Sequence, residues 1–236
     1  MAEAKPLKDK IILITGAGQG LGAATAKYLA ARGAIVSIAD ISEPTIKAVE
    51  QSLRNEYPES RPVSYVVDVR DSGSVKKWID ETKERFGRID GCVNNAAVFP
   101  KQVVPITELE LEDWQHVLDV NLTGTFLCLR HELGAIADGG SIVNVSSVAG
   151  WAGLPRLGSY VASKHGVVGL TKAAAIDAAG KRIREKVQGK LDGESATLLE
   201  GPMEPEDCAA LIAFLLGDES RYITKAVYKI DCGFTG

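Results

Sequence analysis

Short apolar runs rich in β-branched residues alternate along this chain with longer segments whose apolar positions recur every three or four residues. The first run, Ile11 to Thr15, is closed by Gly16, and Ala23 to Ala31 then reads as an alanine-rich helix that ends at Gly33. A second strand, Ala34 to Ala39, stops at Asp40, and a helix from about Glu43 to Arg54 is broken by Tyr57-Pro58. Val63 to Val67 is a third strand. The helix after it, Ser74 to Phe86, places Val75, Trp78 and Ile79 on one face. Ile89 to Val93 and Ser141 to Val145 are further strands, separated by a long helical stretch from Glu110 to Ala137. Apolar strands separated by helices predict a parallel sheet covered on both faces. The expected fold is α/β, a doubly wound, Rossmann-like sheet of six or seven strands, with residues 1–236 forming a single domain.

Composition narrows the function classes. A net charge of −4 offers no basic field for a nucleic acid, so none is expected as a partner. The charged N-terminus lacks the apolar core of a signal peptide, and no run approaches the ~18 apolar residues of a spanning helix. A cytoplasmic protein with no membrane partner is expected. The cysteines Cys92, Cys128, Cys208 and Cys232 are widely spaced, which predicts free thiols rather than a disulfide or metal framework. Asn121 and Asn144 each begin a glycosylation-type triplet but fall in segments predicted to be interior.

Chemistry enters with Thr15-Gly-Ala-Gly-Gln-Gly-Leu-Gly22, which lies between the first strand and the first helix. There a dinucleotide fold needs a tight turn and backbone N–H groups that approach a pyrophosphate without Cβ atoms in the way, which makes Gly16, Gln19, Gly20, Leu21 and Gly22 candidate cofactor contacts. Asp40 ends the second strand roughly twenty residues further on, where a carboxylate accepts bonds from both adenosine ribose hydroxyls. A 2′-phosphate would meet like charge there, so NAD is expected over NADP. Asp68, with Val69, ends the third strand within reach of the adenine edge; a turn aspartate fits that spacing nearly as well.

Tyr160-Val-Ala-Ser-Lys164 places a phenol and an ammonium four residues apart on one helical face, where the positive charge favours the phenolate. Ser147 follows a buried strand whose C-terminal end points into the same crevice. With Asn94-Asn95-Ala96-Ala97, Asn121 and Asn144-Val-Ser-Ser147 in order, the sequence resembles the short-chain dehydrogenase/reductase family from about Leu7 to Phe234. The resemblance implies that Tyr160 is the general acid/base and that Lys164 holds the nicotinamide ribose and lowers the tyrosine pKa. It implies that Ser147 bonds the substrate oxygen, that Asn121 holds a water linking Lys164 to solvent, and that Asn95, Ala96 and Ala97 pack under the nucleotide. The family usually has Gly where Ala97 stands. The implied reaction is hydride transfer between nicotinamide and a carbinol or carbonyl carbon, with no metal. His165, about 100° around the helix from Lys164, and the helical His116 and His131 read as structural. The resemblance also implies a homodimer or homotetramer assembled through the long helices.

One region departs from the family. Where a sixth strand and a Pro-Gly turn are expected after the Tyr160 helix, the chain reads Gly180-Lys-Arg-Ile-Arg-Glu-Lys-Val-Gln-Gly189, with Ile183, Val187 and Leu191 at helical spacing. This predicts a shortened sixth strand and lid, with a dozen or more residues missing after Arg184 and with Ser195 to Leu199 a weak substitute strand. Family-like sequence resumes at Glu204, with a helix from Cys208 to Leu216 and a last strand from Ala226 to Asp231. The leading expectation is an NAD-dependent oxidoreductase acting on a secondary alcohol or ketone of cyclic or terpenoid-like character. The alternatives are a nucleotide-binding but catalytically impaired homologue, such as a truncated isoform or a regulatory pseudoenzyme, and a structural subunit that binds nucleotide for stability.

Overall fold

The computed structural model describes residues 5–190 and 203–234. Seven strands form one parallel sheet: β1 (Ile11–Thr15), β2 (Ile35–Asp40), β3 (Val63–Val66), β4 (Gly91–Asn94), β5 (Ser141–Val145), β6 (Arg184–Lys190) and β7 (Ala226–Ile230). Their order across the sheet is β3-β2-β1-β4-β5-β6-β7. The order reverses between β1 and β4, and the crevice at such a switch point is where open α/β sheets bind ligands.

Because successive residues of a strand point to opposite faces, the core is split in two. On one face Ile12, Ile14, Val36, Val143 and Val145 pack under α1 (Gly20–Ala31), α2 (Glu43–Glu56) and, further along the chain, α7 (Pro205–Leu216). On the other, Ile11, Leu13, Ile35 and Ile142 meet α3 (Ser72–Phe86) through Val75, Trp78 and Ile79. Trp78, 2% exposed, keeps its indole N–H satisfied by donating to Ser37 Oγ at 2.9 Å.

The helical stretch expected over 110–137 is interrupted. It consists of α4 (Leu111–Leu118), a π-turn at Asp119–Thr123 and α5 (Gly124–Ala135), and then leads on to β5. Wide turns of this kind cluster at functional positions, and Asn121 sits inside it. The helix carrying Tyr160 is α6 (Gly158–Asp177).

The expected helix over 180–189 and the loss of the sixth strand are not what the fold adopts. Residues Ala179–Lys181 form one 3₁₀ turn, and β6 then pairs with β5 from Ser141↔Arg184 to Val145↔Gln188 and with β7 from Lys186↔Ala226 to Lys190↔Ile230. The main chain explains this. Without β6, facing edges of β5 and β7 would keep unpaired N–H and C=O groups in the interior, a cost that outweighs the poor suitability of charged side chains. That unsuitability persists in the strand, where burial pushes Glu185 up to about 8 and Lys186 down to about 6. The substitute strand expected at 195–199 lies outside the described residues. Among the described residues no helix is long and apolar enough to cross a membrane.

Candidate active site

The loop between β1 and α1 turns through two left-handed glycines, Gly16 (φ 63°) and Gly20 (φ 52°). A Cβ on Gly22 would lie 2.1 Å from Gly16 O, so only glycine lets the helix start so close to the loop. No side chain caps the N-terminus of α1 and its first turn holds no acidic residue, which leaves N–H groups and the positive end of the dipole facing the crevice.

Asp40, at the tip of β2, is fixed by two backbone donors: Gly18 N–H to Oδ2 at 2.9 Å and Ser42 N–H to Oδ1 at 3.0 Å. Across the switch point Thr15 Oγ1 accepts from the backbone N–H groups of Asn95 (3.0 Å) and Ala96 (3.1 Å). The Asn95 amide returns bonds to Thr15 O (3.2 Å) and Gly16 O (3.1 Å). Asn95 thus braces β1 against β4 where the glycine loop begins.

Two adjoining cavities run across this crevice. The first, about 300 Å³, is bordered by Gln19, Asp40, Asp68, Val69, Ala96 and Ala97. The second, about 230 Å³, continues from Gln19, Leu21 and Asp40 past Asn95 to Tyr160 and Lys164. A glycine cradle at a helix N-terminus, a fixed carboxylate on one side and a phenol–ammonium pair at the far end fit an adenine dinucleotide in extended form.

The distal end is built mainly from α6 and the end of β5. Tyr160 and Lys164, 4% and 3% exposed, stand one turn apart. The Lys164 ammonium donates to Val145 O at 3.0 Å and lies 5.7 Å from the centre of the Tyr160 ring. Ser146 Oγ, donating to Lys164 O at 3.0 Å, ties the helix to the strand end. Ser147 is fully buried, and its hydroxyl accepts the Ala149 N–H at 3.1 Å, opening a 3₁₀ turn.

Asn121 acts through its neighbours. Its carboxamide accepts from Val98 N–H (2.8 Å) and donates to Val98 O (3.0 Å) and to Ser163 Oγ (3.1 Å). The next residue, Phe99, is thereby laid on the Tyr160 ring, with centroids 4.3 Å apart and planes at 15°. Sequence reasoning did not single out Phe99; an aromatic residue just beyond Asn94-Asn95-Ala96-Ala97 was the available signal. It also missed Ile41 and Arg70, which border the first cavity. His116 borders that cavity too, rather than serving only as packing on α4. His165 faces away from Tyr160, into a larger apolar concavity of about 970 Å³ between α4 and α6. Glu132, wholly buried beside this region of the sheet, accepts from Asn94 Nδ2 at 2.8 Å, and burial pushes its carboxyl up to about 7.

The comparisons with known proteins bear on the family and the fold. The family model described as short chain dehydrogenase matches residues 10–188. A short-chain dehydrogenase/reductase, aba4, of Botryotinia fuckeliana is 38% identical over 254 positions, covering 98% of each chain. That alignment is longer than the 236 residues present here, so the relative carries residues with no counterpart in this chain, although the sixth strand is not among what is lost. A 2,5-dichloro-2,5-cyclohexadiene-1,4-diol dehydrogenase of Sphingobium indicum is 35% identical over 97% of this chain and 98% of its own. The crystal structure of levodione reductase superposes with a TM-score of 0.91 at 33% identity, covering 96% of this chain and 97% of that one. The chain belongs to the short-chain dehydrogenase/reductase family.

Proposed function

We propose that this chain is an NAD-dependent oxidoreductase that interconverts a secondary alcohol and a ketone, the reacting carbon lying in a ring. The observation that carries the reading is that Tyr160 and Lys164 close one end of a crevice whose other end holds Asp40 and the glycine loop. The ring is supported by the cyclohexadiene-diol named for the relative from Sphingobium indicum, and by the half-exposed Phe99 beside Tyr160.

When bound, the nicotinamide supplies the hydride acceptor for the alcohol or the donor for the ketone. Everything else falls to the protein. Tyr160 takes the hydroxyl proton during oxidation and returns it during reduction, and the Lys164 charge favours the phenolate needed for the first of these. Ser147 holds the substrate oxygen. Asn121 sets the Val98–Phe99 segment over the phenol. Asp40 receives the adenosine ribose hydroxyls and disfavours a 2′-phosphate through its own like charge. Exposed apolar side chains on the helices next to the site, among them Leu111, Phe126 and Ile176, support assembly with further copies of the chain as a homodimer or homotetramer.

The test is turnover by the purified full chain with NAD or NADH and a panel of cyclic and acyclic secondary alcohols and ketones, followed by nicotinamide absorbance. Tyr160→Phe lowers kcat about 10²- to 10⁴-fold while cofactor binding, followed by fluorescence, is retained. Turnover unchanged by that substitution removes Tyr160 from the proton step and overturns the reading.

A further inference from the structure

A line of buried hydrogen bonds runs beneath the switch point, on the face of the sheet opposite α1. It starts on α5 at Glu132, 1% exposed, whose Oε2 accepts from Asn94 Nδ2 at the end of β4 (2.8 Å). The same nitrogen donates to Asn144 Oδ1 on β5 (2.9 Å), and Asn144 Nδ2 donates to Thr171 Oγ1 on α6 (2.9 Å). Thr171 commits its one hydroxyl proton to Val167 O (2.8 Å), so toward Asn144 it only accepts. That anchor orients both carboxamides, since exchanging O and N at Asn94 would set its oxygen against Asn144 Oδ1.

Two features remain without a partner. Asn94 Oδ1 is buried and makes no hydrogen bond among the described residues. Glu132 has no cation beside it: the ionisable groups around it are Cys92 on β4, Cys128 on its own helix and Glu185 on β6, the last facing Asp177 of α6. From α3, packed on α5, the buried side chains are Val75, Trp78, Ile79 and Thr82. A carboxylate in such a place is a buried charge without compensation. One proton removes both faults. Oε2 goes on accepting from Asn94 Nδ2 while the hydroxyl on the other carboxyl oxygen donates to Asn94 Oδ1, and acid and amide close a ring of two hydrogen bonds.

We propose that Glu132 is a positioning residue that works as a neutral acid paired with Asn94, and that this pair sets the end of β4 for the nucleotide crevice. Asn94 precedes Asn95, whose amide braces the glycine loop, and the far end of the line holds α6, which carries Tyr160 and Lys164. The link to the cofactor rests on the dinucleotide reading above; the acid–amide pair does not. Burial keeps the proton on Glu132 up to about 7, whereas the unfolded chain releases it near 4.5. Stability is therefore lost as pH rises through this interval.

The experiment compares the purified full chain with Glu132→Gln, which closes the same ring at every pH because an amide donates and accepts side by side, and with Glu132→Leu, which cannot close it. Infrared difference spectra at about pH 6 show a neutral-acid C=O stretch in wild type that Glu132→Gln lacks and that fades by about pH 9; the Glu185 band, common to both, cancels. In urea, the unfolding constant of wild type relative to Glu132→Gln rises about 10²-fold between pH 4.5 and about 8. Glu132→Leu is less stable than Glu132→Gln throughout. The Kd for NADH, followed by reduced-cofactor fluorescence, rises about fivefold over that range in wild type and stays level in Glu132→Gln. Absence of the neutral band at about pH 6, or a Glu132→Leu protein as stable as Glu132→Gln, overturns the pair. An equal pH response of NADH binding in wild type and Glu132→Gln overturns its positioning role. Wild-type protein that binds no NADH overturns the dinucleotide reading instead, and the infrared and urea measurements still decide the pair.

Discussion

β5 and β6 are adjacent strands of one parallel sheet, buried to the same degree, yet they present opposite chemistry to the same surroundings. In β5 every residue from Ser141 to Val145 is buried. Across the register Ile142 stands beside Glu185, and Val143 beside Lys186. Ile142 joins the cluster formed with Cys92, Ala174 and Ile183, whereas both carboxylate oxygens of Glu185 are buried without a hydrogen-bond partner among the described residues. The acidic groups Glu132 and Asp177 add repulsion, and together with burial they keep Glu185 protonated well above the ordinary carboxylate range. On the opposite face Lys186 fares better, donating to Ser141 Oγ (3.0 Å), Ser220 Oγ (3.1 Å) and Leu215 O. The contrast separates two roles of a strand. Closing the gap between β5 and β7 needs only a backbone, whereas stability depends on what the side chains meet.

The largest expected effect tests the well-built strand. Ile142→Ala should destabilise the protein by about 2–5 kcal/mol in urea denaturation, as truncation of a fully buried aliphatic residue does. A loss under about 1 kcal/mol would mean that β5 is packed no better than β6 and would end the comparison.

Its counterpart in β6 has the opposite sign. Glu185→Leu should stabilise the protein near pH 8 by about 1–3 kcal/mol, by removing a buried group without partners. The pH dependence follows from the shift, from 4.5 to about 8. The folded protein keeps a proton that the unfolded chain releases above its ordinary carboxylate pKa, so this group lowers stability progressively as pH rises to about 8. The gain from Glu185→Leu therefore shrinks on acidification, and below pH 4.5 only the pH-independent cost of burying an unpartnered neutral carboxyl is left. Lys186, moved from 10.5 to about 6, acts in reverse, its cost growing as pH falls from 10.5 to about 6. Between about 6 and 8 the two slopes cancel. Denaturation of both proteins across this range decides the matter, and a gain independent of pH would rule out a protonated Glu185.

The smallest effect sharpens the boundary of β6. A Cβ at Gly189 would fall 1.9 Å from the far ring of Trp151, a partly exposed side chain able to swing aside. Gly189→Ala should cost about 1 kcal/mol and shift the tryptophan fluorescence. Unchanged fluorescence and stability would show that the indole does not rest on β6.

The same contrast explains what could be read in advance. β1, β2 and β5 announced themselves because strands covered on both faces are nearly continuous apolar runs, and Tyr160 and Lys164 because helical spacing alone puts them on one face. β6 did not, because Ile183 and Val187 satisfy a helical period as readily as a strand with charges between. The π-turn at Asn121 was hidden in a sequence that reads as one helix. Phe99 and Arg70 lie in segments whose direction depends on partners distant in sequence or on side-chain pairing, and neither direction has a periodic signature.

The amino-acid sequence by itself determined the alternation of strands and helices, the glycine turn at the start of α1 and the order of Asp40, Ser147, Tyr160 and Lys164, since each depends on local spacing and residue type. Only the tertiary structure decided that a charged heptapeptide becomes β6, that Asn121 lays Phe99 on Tyr160, and that Asp68 turns to Arg70. Those outcomes depend on which edges must be closed and which polar atoms remain to be satisfied once the other elements are in place, and no local window of sequence contains that information.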